Sequence, residues 1–108
     1  MTDGIDAAQE VGQWFGNQTG VWQTAAIKAT LKLPEGKRLN KAVTTLETAS
    51  HVASITVWGQ GMVEFIVLDV LARNEVIVED KEFGTAGELR TILDSCVEQF
   101  KKALALQR

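Results

Sequence analysis

Hydrophobic positions repeat with two different periods along this chain. The N-terminal segment places apolar residues at spacings of three and four, at Ile5, Ala8, Val11 and Phe15. This spacing is typical of one face of a helix, and Gly16-Asn17 is a suitable C-terminal stop. We therefore predict a helix over residues 5–15, while residues 17–26 show no clear period and stay unassigned.

Further along, the period becomes two. Residues 27–33 alternate apolar side chains with lysine and threonine, which predicts a strand with a charged outer face. Pro34-Glu35-Gly36-Lys37 has turn chemistry. Ala42–Thr48 and Val52–Trp58 are rich in β-branched residues and predict two more strands. Gly59-Gln60-Gly61 then predicts a hairpin turn.

The next predicted strand, Met62–Leu71, is apolar on both of its faces. Such a strand needs both faces covered, by helices, by another chain or by a partner protein. We therefore predict that it forms the centre of the sheet. Ala72-Arg73-Asn74 supplies a turn, and Glu75–Glu79 predicts a short last strand.

A long helix is predicted at the C-terminus. Thr85-Ala86-Gly87-Glu88 has the spacing of a capping box. A continuous apolar face follows, made of Leu89, Ile92, Leu93, Cys96, Val97, Phe100 and Leu104. The predicted fold is α+β: one domain over residues 1–108, with an antiparallel meander flanked by an N-terminal and a long C-terminal helix in two layers.

Composition narrows the class of protein. The 108 residues are 45% hydrophobic and 23% charged, which is typical of a globular domain. The net charge of −3 argues against direct binding of nucleic acid. The first ten residues are polar and acidic, unlike a signal peptide, and the apolar stretch after Met62 is interrupted by Glu64 and Asp69. We expect a cytoplasmic protein with no membrane segment.

Residues that could carry catalysis are scarce. His51 is the only histidine and is predicted in a polar connection before a strand, while the only cysteine, Cys96, lies on the buried helix face. A buried thiol behaves as a small hydrophobe. One histidine and one cysteine do not make a zinc site, and Gly59-Gln60-Gly61 precedes a strand, not the helix that a phosphate loop needs. We predict no catalytic, metal or cofactor-binding residues, no cofactor, and a protein that is not an enzyme.

Charge is segregated along the chain. Residues 28–41 hold five basic residues and one acidic residue, a net charge of +4, whereas residues 64–82 hold six acidic and two basic residues, a net charge of −4. A solvated surface would explain this pattern. The alternative is an acidic surface for a basic partner, and the predicted partner-binding residues are Glu75, Glu79, Asp80, Glu82 and, as an apolar anchor, Trp58.

The segment from Ala53 to Phe100 resembles a known family. The similar residues are Ser54-Ile55-Thr56-Val57-Trp58, Gly61 and Glu64, followed by the Leu68-Asp69 strand and the terminal helix. They resemble the small immunity proteins of bacterial contact-dependent inhibition and polymorphic-toxin systems, in particular the TriTu family. The resemblance implies an α/β protein that binds and neutralises the C-terminal toxin domain of a cognate effector, typically a nuclease. For the TriTu group it further implies a toxin connected with tRNA cleavage and elongation factor Tu.

A second interpretation stays open. The chain could be a small homodimeric ligand-binding or adaptor module without catalytic activity, whose doubly apolar strand lies under a second subunit. We take the immunity protein as the leading interpretation and this module as the alternative, because catalytic residues are scarce and the chain carries an acidic segment. The sequence identifies neither the toxin nor the surface of the toxin that would be blocked.

Overall fold

The structure is a computed structural model, and it describes residues 5–33 and 40–105. The elements in chain order are α1 (Ala7–Asn17), α2 (Thr19–Thr24), β1 (Lys28–Lys32), β2 (Lys41–Glu47), β3 (His51–Trp58), β4 (Met62–Asp69), β5 (Asn74–Glu82) and α3 (Ala86–Ala105). The strands form one antiparallel sheet in the order β1-β2-β3-β4-β5, and the helices pack on one of its faces. The predicted α+β meander with a helix at each end is confirmed. The predicted turn at Pro34–Lys37 lies outside the described residues.

Helix α1 begins after Asp6, whose side chain caps it. The Asp6 carboxylate accepts a hydrogen bond from the backbone amide of Gln9 at 3.1 Å, which satisfies an amide that has no partner inside the helix. Ala7, Val11 and Trp14 are buried along one side. The predicted N-terminal helix is therefore confirmed, with a C-terminal end at Asn17.

Residues 17–26, which the pattern left unassigned, contain the short helix α2. Six residues make less than two turns of helix, which is too short for a period of 3.6 residues to be recognised in the sequence. The helix is held by Trp22, which is buried and packs edge-to-face on Trp14 with ring centroids 5.9 Å apart. The chain then turns into β1 through Ala26, which has a positive φ of 56°.

Helix α3 begins with the predicted capping box. The backbone amide of Glu88 donates to Thr85 Oγ1 at 3.1 Å, and the amide of Thr85 donates to Glu88 Oε1 at 3.2 Å. The buried side chains of α3 are Leu89, Leu93, Cys96, Val97, Phe100 and Ala103.

Within residues 5–33 and 40–105, no helix is both long enough and apolar enough to cross a membrane.

The strand register aligns the core residues of the sheet in rows. Leu46, Ala53 and Val67 are direct neighbours on β2, β3 and β4, and Ile55 pairs with Phe65 in the next row. All five side chains are fully buried on the face that the helices cover. The core therefore lies between this face and the apolar sides of α1 and α3.

The prediction that Met62–Leu71 forms the centre of the sheet is wrong. β4 ends at Asp69 and is second from the edge, whereas β3 is the middle strand. In a meander the chain order decides which strand is central, and β4 has only one strand after it. Leu71 lies in the turn after β4 and is 76% exposed.

The last strand is longer than predicted. β5 covers nine residues instead of the five from Glu75 to Glu79. Its pairing with β4 contains a register shift, because Val67 pairs with Ile77 while Leu68 pairs with Glu75. Such a bulge changes which side chains share a face.

We expect Phe100→Ala to lower the free energy of unfolding by roughly 3–5 kcal/mol, because it removes a large, fully buried side chain from the core. Chemical denaturation monitored by circular dichroism measures the loss. The control is Lys102→Ala on the exposed side of the same helix, with an expected change within about 0.5 kcal/mol. A loss below about 1 kcal/mol for Phe100→Ala would contradict this packing of α3.

Candidate functional site

One face of the sheet is left uncovered by the described helices. We call it the open face; its side chains alternate along each strand with those of the core. Met62, Leu68 and Val78 lie on it and are 43%, 40% and 56% exposed. Met62 and Leu68 belong to the second apolar face of β4, which the sequence pattern predicts to be covered. Several exposed apolar side chains on one face of a sheet are typical of an interaction site.

The register shows how the middle of the open face is built. Trp58 is the direct neighbour of Met62, Val52 is the neighbour of Leu68, and Ile66 pairs with Val78. We call the apolar side chains of this part the apolar centre; they are Val43, Val52, Trp58, Met62, Ile66, Leu68 and Val78. The polar side chains of Ser54, Thr56 and Glu64 lie between them. Sequence reasoning noted only Trp58 of this group as a site residue.

A basic border runs along one side of the apolar centre. Lys28 and Lys32 lie on the edge strand β1, and Lys28 pairs with Glu47, an exposed carboxylate on the open face of β2. Lys41 on β2 is the neighbour of Trp58. Its Nζ atom lies 5.6 Å from the centre of the Trp58 ring, within the range of a cation–π interaction.

An acidic border runs along the opposite side, on the other edge strand. It consists of Glu75, Asp80 and Glu82 on β5, which pair with open-face residues of β4. Asp80 stands directly opposite Glu64, and two like charges in this arrangement repel one another. The ion pairs among the described residues include neither of them.

Glu79 does not belong to this acidic border. The period of two directs it to the helix-covered side, where its Oε1 atom accepts a hydrogen bond from Gln99 Nε2 at 3.4 Å. Glu75 has the same parity as Glu79 but pairs with Leu68 of the open face, because the bulge near Val76 shifts the register. Alternation alone separates Glu79 from Asp80, whereas nothing in the sequence indicates the bulge.

The structure places four of the five predicted partner-binding residues on the open face: Trp58, Glu75, Asp80 and Glu82. Glu82 and Trp58 lie in one row across the sheet with Met62 between them. Glu75 lies at the far end of the same border, about 20 Å away along the strand. The open face therefore combines Trp58 and the acidic border in one surface, which the sequence alone did not place side by side.

A groove lies at the end of the open face near the β4–β5 turn. Its volume is about 630 Å³ and it is lined by Val52, Leu68, Asp69, Val70, Arg73, Asn74 and Glu75. Its lining is mostly apolar, and Asp69, Arg73 and Glu75 contribute charged groups. Such a groove accepts an apolar side chain that carries a polar group at its end.

His51 lies in the core and not in the polar connection that the sequence predicted. It is the first residue of β3 and exposes no surface. A hydrogen bond of 2.7 Å joins its Nδ1 atom to Ser50 Oγ. Asp69 is its neighbour on β4, but the Asp69 carboxylate accepts a hydrogen bond from the Ala72 amide at 2.9 Å. A general base must reach its substrate, and a ring with no exposed surface does not.

Cys96 is buried against the sheet, as its place on the helix face predicts. Its exposed fraction is 2%. Burial, and secondarily the Glu79 carboxylate, raises the pKa of the Cys96 thiol to about 12, although Lys81 acts in the opposite direction. The thiol is therefore protonated at neutral pH, and a thiol is far less nucleophilic than a thiolate.

No model of a known protein family matches the sequence, and no curated protein matches it either. The likeness to TriTu immunity proteins accordingly remains a prediction from the residues themselves.

We expect Cys96 to resist alkylation by iodoacetamide in the folded protein at pH 8 and to react readily after unfolding in denaturant, because folding both shields the thiol and raises its pKa. Mass spectrometry measures the labelled fraction over time. Rapid labelling of the folded chain would contradict the burial of this helix face.

Proposed function

We propose that this chain is an immunity protein: a non-enzymatic inhibitor that binds the toxin domain of a cognate contact-dependent inhibition effector and neutralises it in the cytoplasm of the producing cell. The observation that carries the proposal is the open face, which the described helices leave uncovered and whose apolar centre lies beside the acidic border. A surface of this composition is suited to a protein partner.

The family resemblance supports the proposal through the hairpin and the terminal helix, and it assigns no docking residues. The alternate hairpin residues Ser54, Thr56, Trp58 and Glu64 lie on the open face. Trp58 adds the large aromatic surface that is frequent in the strongest contacts of interfaces.

The acidic border suits a nuclease as the partner. A protein that cleaves RNA needs basic side chains to hold the phosphates of its substrate. Those side chains would be attracted to Glu75, Asp80 and Glu82, and a cation placed between Glu64 and Asp80 would relieve their mutual repulsion. An inhibitor that occupies the basic surface of the toxin would exclude RNA from it, without any chemistry of its own.

We expect Asp80→Lys to slow association with the purified toxin domain of the neighbouring gene by roughly three- to tenfold at low salt, because the substitution reverses a charge on the docking surface. The loss should shrink as salt increases, since the Debye length falls. Stopped-flow or biosensor measurements at nanomolar concentrations give the rate. Folding should change little, because Asp80 is exposed and forms no described ion pair.

The matched control is Glu98→Lys, which makes the same change in net charge on the exposed side of α3. It should leave the association rate nearly unchanged. Equal effects of Asp80→Lys and Glu98→Lys would exclude the acidic border as the docking surface. Absence of any binding or protection by the wild-type chain would contradict the immunity function itself.

A further inference from the structure

We propose that two copies of this chain form a symmetric homodimer through their open faces, with the two-fold axis parallel to the strands and passing between the two β3 strands. The occupant of the open face is then a second copy. This inference is independent of the proposed function, because it requires no other protein.

The positions of the charges across the sheet carry the proposal. A two-fold axis along β3 places β1 of one copy over β5 of the other, since β1 and β5 are the two edges of the sheet. The lysines of β1 in each copy then face the acidic border of the other, whereas Lys41 of β2 lies over β4. Lys32 and Asp80 lie in the same row of the sheet, as do Lys28 and Glu75. Lys32 therefore lies over Asp80 of the second copy, and Lys28 over Glu75 of the second copy.

The same arrangement relieves the repulsion within the acidic border. Asp80 stands directly opposite Glu64 on the neighbouring strand, and the nearest lysine of the same row, Lys32, lies at the far edge of the sheet. In the dimer, Lys32 of the second copy supplies the missing positive charge. Symmetry makes this contact occur twice, so the dimer contains two equivalent Lys32–Asp80 pairs.

The other face-to-face arrangement is unfavourable. A two-fold axis across the strands would place β1 over β1 and β5 over β5. Lysines would then face lysines, and carboxylates would face carboxylates. Like charges brought together at an interface are costly, so the charge pattern selects the axis that runs along the strands.

The apolar centre fills the middle of the proposed interface. Val52 and Trp58 lie on β3 and therefore close to the axis, next to their own copies. Met62, Ile66 and Val78 lie to one side and become covered by the long or β-branched side chains of Lys41, Thr45 and Thr30 of the opposite sheet. Sheets that pack face to face keep their strands within about 30° of one another, which this axis allows.

The size of the face indicates a weak dimer. Five strands about 4.8 Å apart and roughly seven residues long give a face of about 550 Å² per copy. The total of about 1,100 Å² is at the low end of specific interfaces. We therefore expect a dissociation constant in the micromolar range, and a monomer at nanomolar concentration. Since the dimer covers Trp58 and Asp80, it excludes any partner that binds the same face.

The experiment is sedimentation equilibrium on the full chain and on two charge-reversed variants. Lys32→Glu and Asp80→Lys should each raise the dimer dissociation constant by about tenfold or more, because each places like charges together twice. An equimolar mixture of the two variants should dimerise as well as the wild type. In that mixture both contacts again join opposite charges. Circular dichroism checks that each variant is folded, and Glu98→Lys is the control away from the face.

Recovery in the mixture, with loss in each variant alone, would establish both the face and the axis. A wild-type chain that stays monomeric up to about millimolar concentration would overturn the proposal, because such weak association falls outside specific interfaces of this size. A dimer that is insensitive to both reversals, or one that the mixture does not restore, would overturn it as well. Neither result bears on whether the monomer binds a toxin.

Discussion

The structure depends on a sheet that is covered on one side only. The helices pack on the face that carries Leu46, Ile55, Phe65 and Val67, and burial of these side chains supplies the main driving force for the fold. The chain has no further described element to place on the other face, so the second set of apolar side chains on β4 stays exposed. The functional proposals follow from this one-sided packing.

The meander converts a pattern along the chain into a pattern across a surface. Basic residues cluster early in the sequence and acidic residues late. Because each strand pairs with the next one in the chain, the early strands form one edge of the sheet and the late strands the other. The charges thus become two borders on opposite sides of an apolar centre. This separation suits a basic partner at one border and a second copy across the whole face, and the two modes of binding exclude one another.

The sequence predicts the kind of candidate site, an acidic surface, but not all of the residues that form it. Blocks of charge identified the acidic segment, and Asp80 and Glu82 lie on the open face as a binding role requires. The charge block also predicts Glu79 as a partner-binding residue, because Glu79 is close to Asp80 in sequence. Alternation places Glu79 on the helix-covered side of the sheet, where it contacts Gln99. Only the register of β3, β4 and β5 places Trp58 in the same row of the sheet as Glu82. His51 looked like a loop residue because its neighbours are polar, but β3 begins at that position and buries it.

The sequence by itself determined most of the elements: the N-terminal helix, the capped C-terminal helix, the alternating strands, the tight hairpin after Trp58 and the burial of Cys96. These features depend on local spacing and on caps, which act over a few residues. Only the tertiary structure decided which strand is central, that α2 exists around Trp22, and which charges share a face. Those outcomes depend on contacts between distant residues and on one bulge in β5. A single shift in register moves side chains from one face of a sheet to the other, and no local pattern records it.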